Sequence, residues 1–333
     1  GPPGASSALR GPGCGGGRSF SERGGVPGVT RRHFALGTAG ALVAGGAWAK
    51  ASAPQVEIEG ARDLDQRLTI PVFVGEAGPF HFVVDTGADR TVLASDVADR
   101  LGLSAGRRVM IHGVTGSALT ETVQAPTIRF GEDALPARDL PVISRDRLGA
   151  DGLLGVDVLQ QRRLIMDFRR RRLQIVPSSD DRPLARYRTA KIPTSDRHGL
   201  LSVIDVRAER VGATALVDTG GSVTIANRDL ARRMRQRGAW ATAAPLIDIH
   251  GVTDAVVTGE GRMLTVLHVG GLRFLNLPVV VADVHLFRQW DLLDTPALLL
   301  GADVLHQFAR VELDYGDRHL FLELGQQMRT QMV

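Results

Sequence analysis

The chain has 333 residues, 44% of them hydrophobic and 23% charged, so it is long enough for two globular domains of ordinary composition. Its formal net charge of +4 does not indicate nucleic-acid binding, because residues 1–50 hold six basic residues against one acidic residue and the remainder is close to neutral. We expect no nucleic-acid partner, and the single cysteine, Cys14, excludes a disulfide bond within the chain.

Residues 1–53 are predicted to be a low-complexity leader followed by an export signal. Arg31 and Arg32 precede a short apolar run that is rich in Gly and Ala, and small residues follow near residues 47–53. Paired arginines before such a run are typical of a twin-arginine signal, so we expect export, with the periplasm as the destination. The run is too short for a comfortable membrane span. A retained N-terminal anchor is the alternative, and we expect no other membrane contact.

In the rest of the chain, segments of the first half recur in the second half in the same order. Five segments of the first half recur in the second: Asp85-Thr86-Gly87 and Asp218-Thr219-Gly220, 110–119 and 248–257, 140–144 and 277–281, 153–159 and 299–305, 165–168 and 312–315. Five matches in register indicate a duplicated domain. We therefore predict an N-terminal lobe at 54–178, a linker at 179–190 that is rich in Pro, Ser and charge, and a C-terminal lobe at 191–333.

Each half has mainly the pattern of β-strands. Apolar and β-branched residues over 66–74 and 79–84, with a turn at 75–78, predict a hairpin that leads into Asp85. Residues 200–206 and 213–217 predict the equivalent hairpin before Asp218. The run of four arginines at 169–172 is interpreted as a solvated hairpin turn rather than as a basic patch.

Helices are predicted to be short and few. Ser95 is the expected N-cap of a helix over 94–103, and Asn227 that of a helix ending near Gly238. A further helical turn is expected after each of the segments 153–159 and 299–305. The predicted fold is all-β, with two similar β-barrel lobes related by a pseudo-twofold axis.

That symmetry has a chemical consequence for Asp85 and Asp218. Equivalent residues near a twofold axis meet, and two carboxylates in close contact cannot both ionise, so they share one proton. The ionised carboxylate can accept a proton from a water molecule as that water attacks a peptide carbonyl. The protonated carboxyl can stabilise the charge that develops on the carbonyl oxygen.

The neighbours of the two aspartates fit this task. Gly87 and Gly220 permit a tight turn that places amide donors against the carboxylates, and the hydroxyls of Thr86 and Thr219 can hydrogen-bond across the axis. Two apolar-Gly segments are expected to pass behind the loops: Leu154-Gly155 and Leu300-Gly301.

The residues that follow each motif bear on the working pH. Ala88 and Gly221 offer no hydroxyl to an outer carboxylate oxygen. Because a hydrogen bond to the ionised form lowers a carboxyl pKa, its absence predicts a working range nearer to neutral than to strongly acidic.

Three segments resemble those of the retroviral aspartic proteases (retropepsins). "VVDTGADRTVLAS" (83–95) resembles their active-site segment, "MIHGVTG" (110–116) their Gly-rich flap and "GLLGVDVL" (152–159) their second apolar-Gly segment. Both halves match, so the resemblance covers nearly all of residues 65–325.

The resemblance implies a single-chain, retropepsin-like aspartic endopeptidase that acts on proteins or peptides without a metal or another cofactor. Asp85 and Asp218 would be the catalytic pair, and the chain would be a monomer containing an intramolecular pseudo-dimer. The flap segments that would close over a bound peptide are His112, Gly113, Val114 and Thr115, and His250, Gly251, Val252 and Thr253.

The chain also departs from the retroviral pattern. Val156 and Ala302 stand where those enzymes usually have an arginine that pairs with the second aspartate of the motif. Asp89 therefore lacks that partner, and in the second half Ser222 stands at the position equivalent to Asp89. Because the two halves differ, the substrate path is expected to be asymmetric.

Two other interpretations compete with the peptidase. The flap histidines suggest a metal site, but neither has a companion histidine at ligand spacing, so we interpret them as exposed flap residues. The chain could also be a protease-like module that grips extended peptides without cutting them. The presence of both aspartates favours the enzyme.

Overall fold

The computed structural model describes residues 56–59, 61–62, 68–131, 133–178, 189–197, 200–240 and 244–325. They belong to a single unit, Ala51–Val333. The predicted leader and most of the predicted linker lie outside the described residues, so these assignments and the lobe boundaries stay predictions. No helix in the described part of the chain is long and apolar enough to cross a membrane.

Strands dominate the described residues. They are β1 (Val56–Glu59), β2 (Ala61–Arg62), β3 (Leu68–Val74), β4 (Ala77–Val84), β5 (Val92–Ala94), β6 (Ser104–His112), β7 (Ser117–Phe130), β8 (Asp133–Ile143), β9 (Gly152–Leu154), β10 (Arg162–Asp167), β11 (Arg172–Pro177), β12 (Thr189–Pro193), β13 (Ser195–Arg197), β14 (Leu200–Ala208), β15 (Val211–Val217), β16 (Ile225–Ala226), β17 (Leu246–Ile249), β18 (Val257–Val269), β19 (Leu272–Val281), β20 (Ala297–Leu300), β21 (Phe308–Asp314) and β22 (His319–Leu324). The α-helices are α1 (Ser95–Arg100), α2 (Arg145–Leu148), α3 (Arg228–Gln236), α4 (His285–Gln289) and α5 (Ala302–Leu305), with a 3₁₀ turn at Val156–Val158.

Two eight-stranded sheets have the same topology. The first runs β2-β3-β4-β9-β5-β8-β7-β6 and the second β13-β14-β15-β20-β16-β19-β18-β17, so each strand of one has an equivalent in the other. The extra pairing β3–β7 recurs as β14–β18 and folds each sheet back on itself. The predicted fold class is confirmed: two similar β-lobes with few short helices.

A third sheet joins the two lobes. Its order is β1-β11-β10-β21-β22-β12, with three strands from each half of the chain. At its centre β10 pairs antiparallel with β21, and Ile165 lies opposite Glu312, its equivalent in the repeat. The pseudo-twofold axis therefore passes through this pair. A buried ion pair between Arg163 Nε and Asp314 Oδ2, 2.7 Å apart, also links the lobes here.

The strands that lead to the two motifs are buried on both faces. In β4 the alternation of buried and exposed residues gives way to three consecutive buried residues, Phe82–Val84, and β15 is buried throughout except at Gly212. Each strand pairs in parallel with the apolar-Gly strand of its own lobe, β4 with β9 and β15 with β20. Continuous apolar runs are typical of such central strands. This burial explains why apolar β-branched residues run directly into each aspartate.

The helices follow the sequence expectations only in part. Asn227 caps α3, since its side chain accepts from Leu230 N–H at 2.9 Å. The prediction for Ser95 was wrong: Ala94 is the N-cap, no side chain caps α1, and Ser95 is the first helical residue.

Three smaller predictions concern the helical turns, the linker and the run of four arginines. The helical turns expected after residues 153–159 and 299–305 lie inside those segments, at Val156–Val158 and Ala302–Leu305. Residues 189 and 190, assigned to the linker, belong to β12. The first three arginines of the run, residues 169–171, lie in the turn between β10 and β11, as predicted, whereas Arg172 is the first residue of β11. Arg171 has a positive φ of 54°.

Candidate active site

Asp85 and Asp218 stand at equivalent ends of the two central strands. Asp85 follows the last residue of β4, and its N–H donates to Leu154 O at 3.0 Å. Asp218 follows β15, and its N–H donates to Leu300 O at 2.9 Å. The pairing of each central strand with its apolar-Gly strand therefore continues up to the aspartate and fixes where its backbone lies.

The two carboxyl groups meet at the boundary between the lobes. A β-carbon built on Gly87 would lie 2.9 Å from Asp218 Oδ1 and 3.2 Å from Asp85 Oδ1, so both oxygens are within 3.2 Å of one point. A β-carbon on Gly220 would overlap the carboxyl group of Asp85. The glycine of each motif thus lies against the carboxyl of the other motif, and no larger residue fits there.

The two threonines of the motifs lock the lobes together. Thr86 N–H donates to Thr219 Oγ1 at 3.0 Å, and Thr219 N–H donates to Thr86 Oγ1 at 3.1 Å. Each hydroxyl also donates to the opposite lobe, Thr86 to Val217 O at 2.8 Å and Thr219 to Val84 O at 2.7 Å. Both threonines are buried. Four hydrogen bonds therefore hold the two motifs in one arrangement.

Main-chain amides stabilise both carboxylates. Gly87 N–H donates to Asp85 Oδ1 at 2.8 Å. Gly220 N–H and Gly221 N–H donate to Asp218 Oδ1 at 3.0 Å and 2.9 Å. Hydrogen bonds of this kind favour the ionised form of a carboxyl group.

A main-chain donor bears on the predicted working pH. The near-neutral range is predicted from the absence of side-chain hydroxyls at Ala88 and Gly221, whereas the main chain of Gly221 supplies a donor to Asp218. Ala88 N–H is directed instead to the main-chain carbonyl of Asp85, at 3.4 Å. The amide of Gly221 favours ionisation and so opposes the shift towards neutral pH; the near-neutral range stays a prediction.

The apolar-Gly segments pass behind the two motif loops. Val156 N–H donates to Ala88 O at 2.9 Å, and Ala302 N–H donates to Gly221 O at 2.8 Å. These residues occupy the positions of the missing arginines, and they bind the loops through the backbone alone.

Gly155 and Gly301 permit this close approach. A β-carbon on Gly155 would lie 2.5 Å from the carbonyl carbon of Arg90, and one on Gly301 would lie 2.7 Å from that of Val223. These are backbone contacts, which cannot move aside, so glycine is required in both lobes.

The sequence interpretation missed Asp157 and Asp303, which follow these segments. Asp157 accepts from Thr91 N–H and Thr91 Oγ1–H at 3.0 Å and 2.8 Å. Asp303 accepts from Thr224 N–H and Thr224 Oγ1–H at the same distances, 3.0 Å and 2.8 Å. The signal was available, because the Thr and the Asp recur at equivalent places in both halves of the sequence.

The predicted flap segments form the tips of two hairpins. Residues 112–115 lie at the turn between β6 and β7, and residues 250–253 follow β17 on the way to β18. The tips touch one another: Thr115 Oγ1 and Thr253 Oγ1 are 3.1 Å apart and both residues are buried. Each tip therefore covers the other.

Glycines at the flap tips make this contact possible. A β-carbon on Gly113 would lie 2.7 Å from Val252 Cγ2, and one on Gly251 would lie 2.9 Å from Val114 Cγ1. His250 is exposed on the second flap.

Each flap also contacts a short helix of the opposite lobe. His285 N–H, at the start of α4, donates to Val114 O at 2.9 Å. His285 Nε2 lies 3.0 Å from His112 Nδ1, and the two rings are parallel with centroids 5.3 Å apart. In the first lobe, Arg147 of α2 forms an ion pair with Asp254, the residue that follows the second flap segment.

The environment of His285 disfavours its protonation. Burial lowers the pKa of His285, and electrostatic interactions with His112 and Arg288 lower it further. This histidine was not identified from the sequence, because its partner on the flap is 173 residues away.

The lobes differ beside Asp218. A small pocket there has an apolar wall formed by Leu216, Trp290 and Leu299. Trp290 belongs to the segment 290–296, between α4 and β20, and the equivalent segment of the first lobe spans only residues 149–151. The two lobes therefore differ in structure beside the motifs, and the asymmetric substrate path stays a prediction.

Comparisons with known proteins bear on the family and the fold of the chain. The sequence profile of a family described as aspartyl protease matches the chain twice, at residues 70–158 and 204–304. A solved structure, the aspartic proteinase from Irpex lacteus, superposes with a TM-score of 0.51 at 16% identity, covering 82% of this chain and 98% of that one. At this identity the likeness shows the fold alone. A comparison with curated proteins found no match. The two profile matches span more than half of the chain and one falls on each lobe, so the chain belongs to the aspartyl protease family.

Proposed function

We propose that the protein is a retropepsin-like aspartic endopeptidase in which Asp85 and Asp218 form the catalytic dyad. One observation carries the proposal: an oxygen of each carboxyl group lies within 3.2 Å of the same point beside Gly87. The two oxygens are therefore at most about 6 Å apart, which is close enough for the two carboxyl groups to interact. We propose that the pair shares one proton, so that the site contains an acid and a base at the same pH.

The reaction follows from that shared proton. A water molecule between the carboxyls loses a proton to the ionised aspartate as its oxygen bonds to the peptide carbonyl carbon. The protonated aspartate donates a hydrogen bond to the carbonyl oxygen, on which charge develops. When the tetrahedral intermediate collapses, the C–N bond breaks, the amine nitrogen takes a proton, and the dyad again holds one proton.

The flaps are proposed to close over an extended peptide. Their tips meet through Thr115 and Thr253, so a substrate must separate them before it enters. Flap strands can then pair with the substrate backbone and exclude water during the reaction.

The cleft is proposed to prefer an apolar side chain on the side of Asp218. Support comes from Leu216, Trp290 and Leu299, which line the small pocket beside that aspartate. All three are buried, so a substrate side chain would reach them only after the pocket widens. The first lobe has no equivalent of Trp290, so the substrate would bind in one direction.

The lobes are proposed to derive from a tandem duplication, which their equal strand orders support. The active form is proposed to be a monomer, because both motifs are in one chain. Export to the periplasm is proposed on the leader sequence, with Arg31 and Arg32 as its main support.

The test is digestion of an unfolded protein mixture by the wild type and by Asp85→Asn, with products identified by mass spectrometry. We expect the wild type to release peptides at acidic to neutral pH and the variant to release none. If the wild type binds peptides but cuts none at any pH, the protein is a binding module and the proposal is wrong.

A further inference from the structure

The same Thr–Asp arrangement occurs behind both catalytic loops, and we call each copy a clamp. The first clamp is Thr91 with Asp157, and the second is Thr224 with Asp303. In each, one carboxylate oxygen accepts from the threonine N–H and the other from its hydroxyl, at 3.0 Å and 2.8 Å in both lobes. Equal geometry in two lobes whose surrounding residues differ indicates a common role.

Each clamp closes the loop that begins at an aspartate of the dyad. In the second lobe the loop starts at Asp218, is bound at Gly221 by Ala302 N–H, and ends at Thr224. Of the two attachments, the one at Gly221 uses the main chain, whereas the clamp uses the side chain of Asp303, two residues after the apolar-Gly segment. It therefore fixes the far end of the loop, six residues after the carboxylate.

The threonine hydroxyl serves two partners at once. It donates to the clamp aspartate and accepts from the glycine N–H of the apolar-Gly segment, at 3.2 Å from Gly155 to Thr91 and at 3.2 Å from Gly301 to Thr224. Thr91 and Thr224 are 2% and 0% exposed. Loss of either hydroxyl would leave buried polar groups without a partner, which is costly.

The clamp aspartates also bind their own segment. Asp157 Oδ1 accepts from Val158 N–H at 3.1 Å, and Asp303 Oδ1 accepts from Val304 N–H at 2.9 Å. Burial raises the pKa of Asp303, while the hydrogen bonds from Thr224 and Val304 oppose that rise.

We propose that Asp157 and Asp303 are positioning residues that hold Asp85 and Asp218 in catalytic register. This rests on the proposed function. Each braces its loop through the main-chain N–H and the hydroxyl of one threonine. Their hydrogen bonds are to the loops that carry the dyad, so we assign them an effect through those loops.

The test compares purified full-length variants on one peptide substrate. Asp303→Asn replaces one of the two accepting oxygens by an amide donor, so the side chain can no longer accept from both the N–H and the hydroxyl of Thr224. Thr224→Val removes the hydroxyl, and Thr224→Ser keeps it. The matched control is Asp99→Asn, an exposed aspartate on α1. Active sites are titrated with a peptide analogue that carries a non-hydrolysable tetrahedral alcohol at the scissile position, so that kcat refers to folded sites only.

We expect Asp303→Asn and Thr224→Val to lower kcat about tenfold or more with little change in KM, because a small misplacement of a catalytic group has such effects. Thr224→Ser and Asp99→Asn should keep kcat near the wild-type value. If titrated kcat stays unchanged while only the melting temperature falls, the clamp is merely structural and the inference is overturned. A wild type that cuts nothing overturns the proposed function and this inference together, whereas an active wild type with unaffected variants overturns the clamp alone.

Discussion

Thr86 and Thr219 each donate a main-chain N–H to the hydroxyl of the other, at 3.0 Å and 3.1 Å, across the boundary between the lobes. This exchange links two residues that are 133 positions apart. It holds the aspartate that precedes each threonine against the other lobe.

Removal of one of these hydroxyls should destabilise the protein. Thr86→Val keeps the shape of the side chain but leaves Thr219 N–H and Val217 O without a buried partner. We expect a loss of about 1–3 kcal/mol in the free energy of unfolding, measured by urea denaturation. Thr86→Ser, which keeps the hydroxyl, is the control. Equal losses in the two variants would show that these hydrogen bonds do not stabilise the arrangement.

Gly220→Ala should abolish cleavage, because its β-carbon would overlap the carboxyl group of Asp85. The control is Gly212→Ala in β15, where an added β-carbon meets no atom within 4 Å. It should keep full activity, with stability equal to or slightly above the wild type because alanine loses less backbone entropy on folding. Initial rates of both variants on one peptide provide the measurement. An active Gly220→Ala variant would contradict the packing of the two motifs.

The contact between His112 and His285 should make the first flap sensitive to pH. Because the pKa of His285 is lowered in the closed form, protonation favours the open form. The stabilising effect of the contact is complete above the ordinary histidine pKa of about 6.5 and is lost as the pH falls through that value to the lowered one.

Hydrogen exchange of the flap amides at 113–116 measures this effect. In the wild type, exchange should become faster relative to the intrinsic rate as the pH falls below about 6.5, whereas His285→Gln should show no such step. His250→Gln, on the exposed flap histidine, is the control and should behave like the wild type. If the pH step persists in His285→Gln, a group other than His285 causes it.

Replacement of Arg31 and Arg32 by lysines should block export. Twin-arginine signals depend on the arginine pair, and lysine keeps the charge, so a loss would be specific to that route. The measurement is the periplasmic fraction of a reporter fused to residues 1–53 in a bacterium that has this pathway. Equal export of both fusions would exclude a twin-arginine signal.

The fold could be predicted from the sequence because the same series of motifs occurs in both halves of the chain. The recurrence of Asp-Thr-Gly and of the apolar-Gly segments indicated two equal lobes, and the two sheets have equal strand orders. A repeat also implies an axis, and residues next to an axis meet. The proximity of Asp85 and Asp218 could therefore be predicted without knowledge of any loop.

The remaining features depend on tertiary contacts that no local pattern specifies. The approach of His285 to His112 requires the fold of both lobes, because the two residues are 173 positions apart. The clamp of Thr224 and Asp303 joins residues that are 79 positions apart. Ser95 had the residue type of a helix cap, but the backbone of β5 continues to Ala94 and the helix starts one residue earlier than the cap rule predicts.

The most direct test of the central claim is a comparison of kcat/KM for the wild type, Asp85→Asn, Asp218→Asn and the double variant. Two carboxyls that share one proton act as a unit, so their losses should not add. We predict that each single variant loses as much activity as the double variant. A single variant that retains substantial activity, or single losses that multiply in the double variant, would show that Asp85 and Asp218 do not form one dyad.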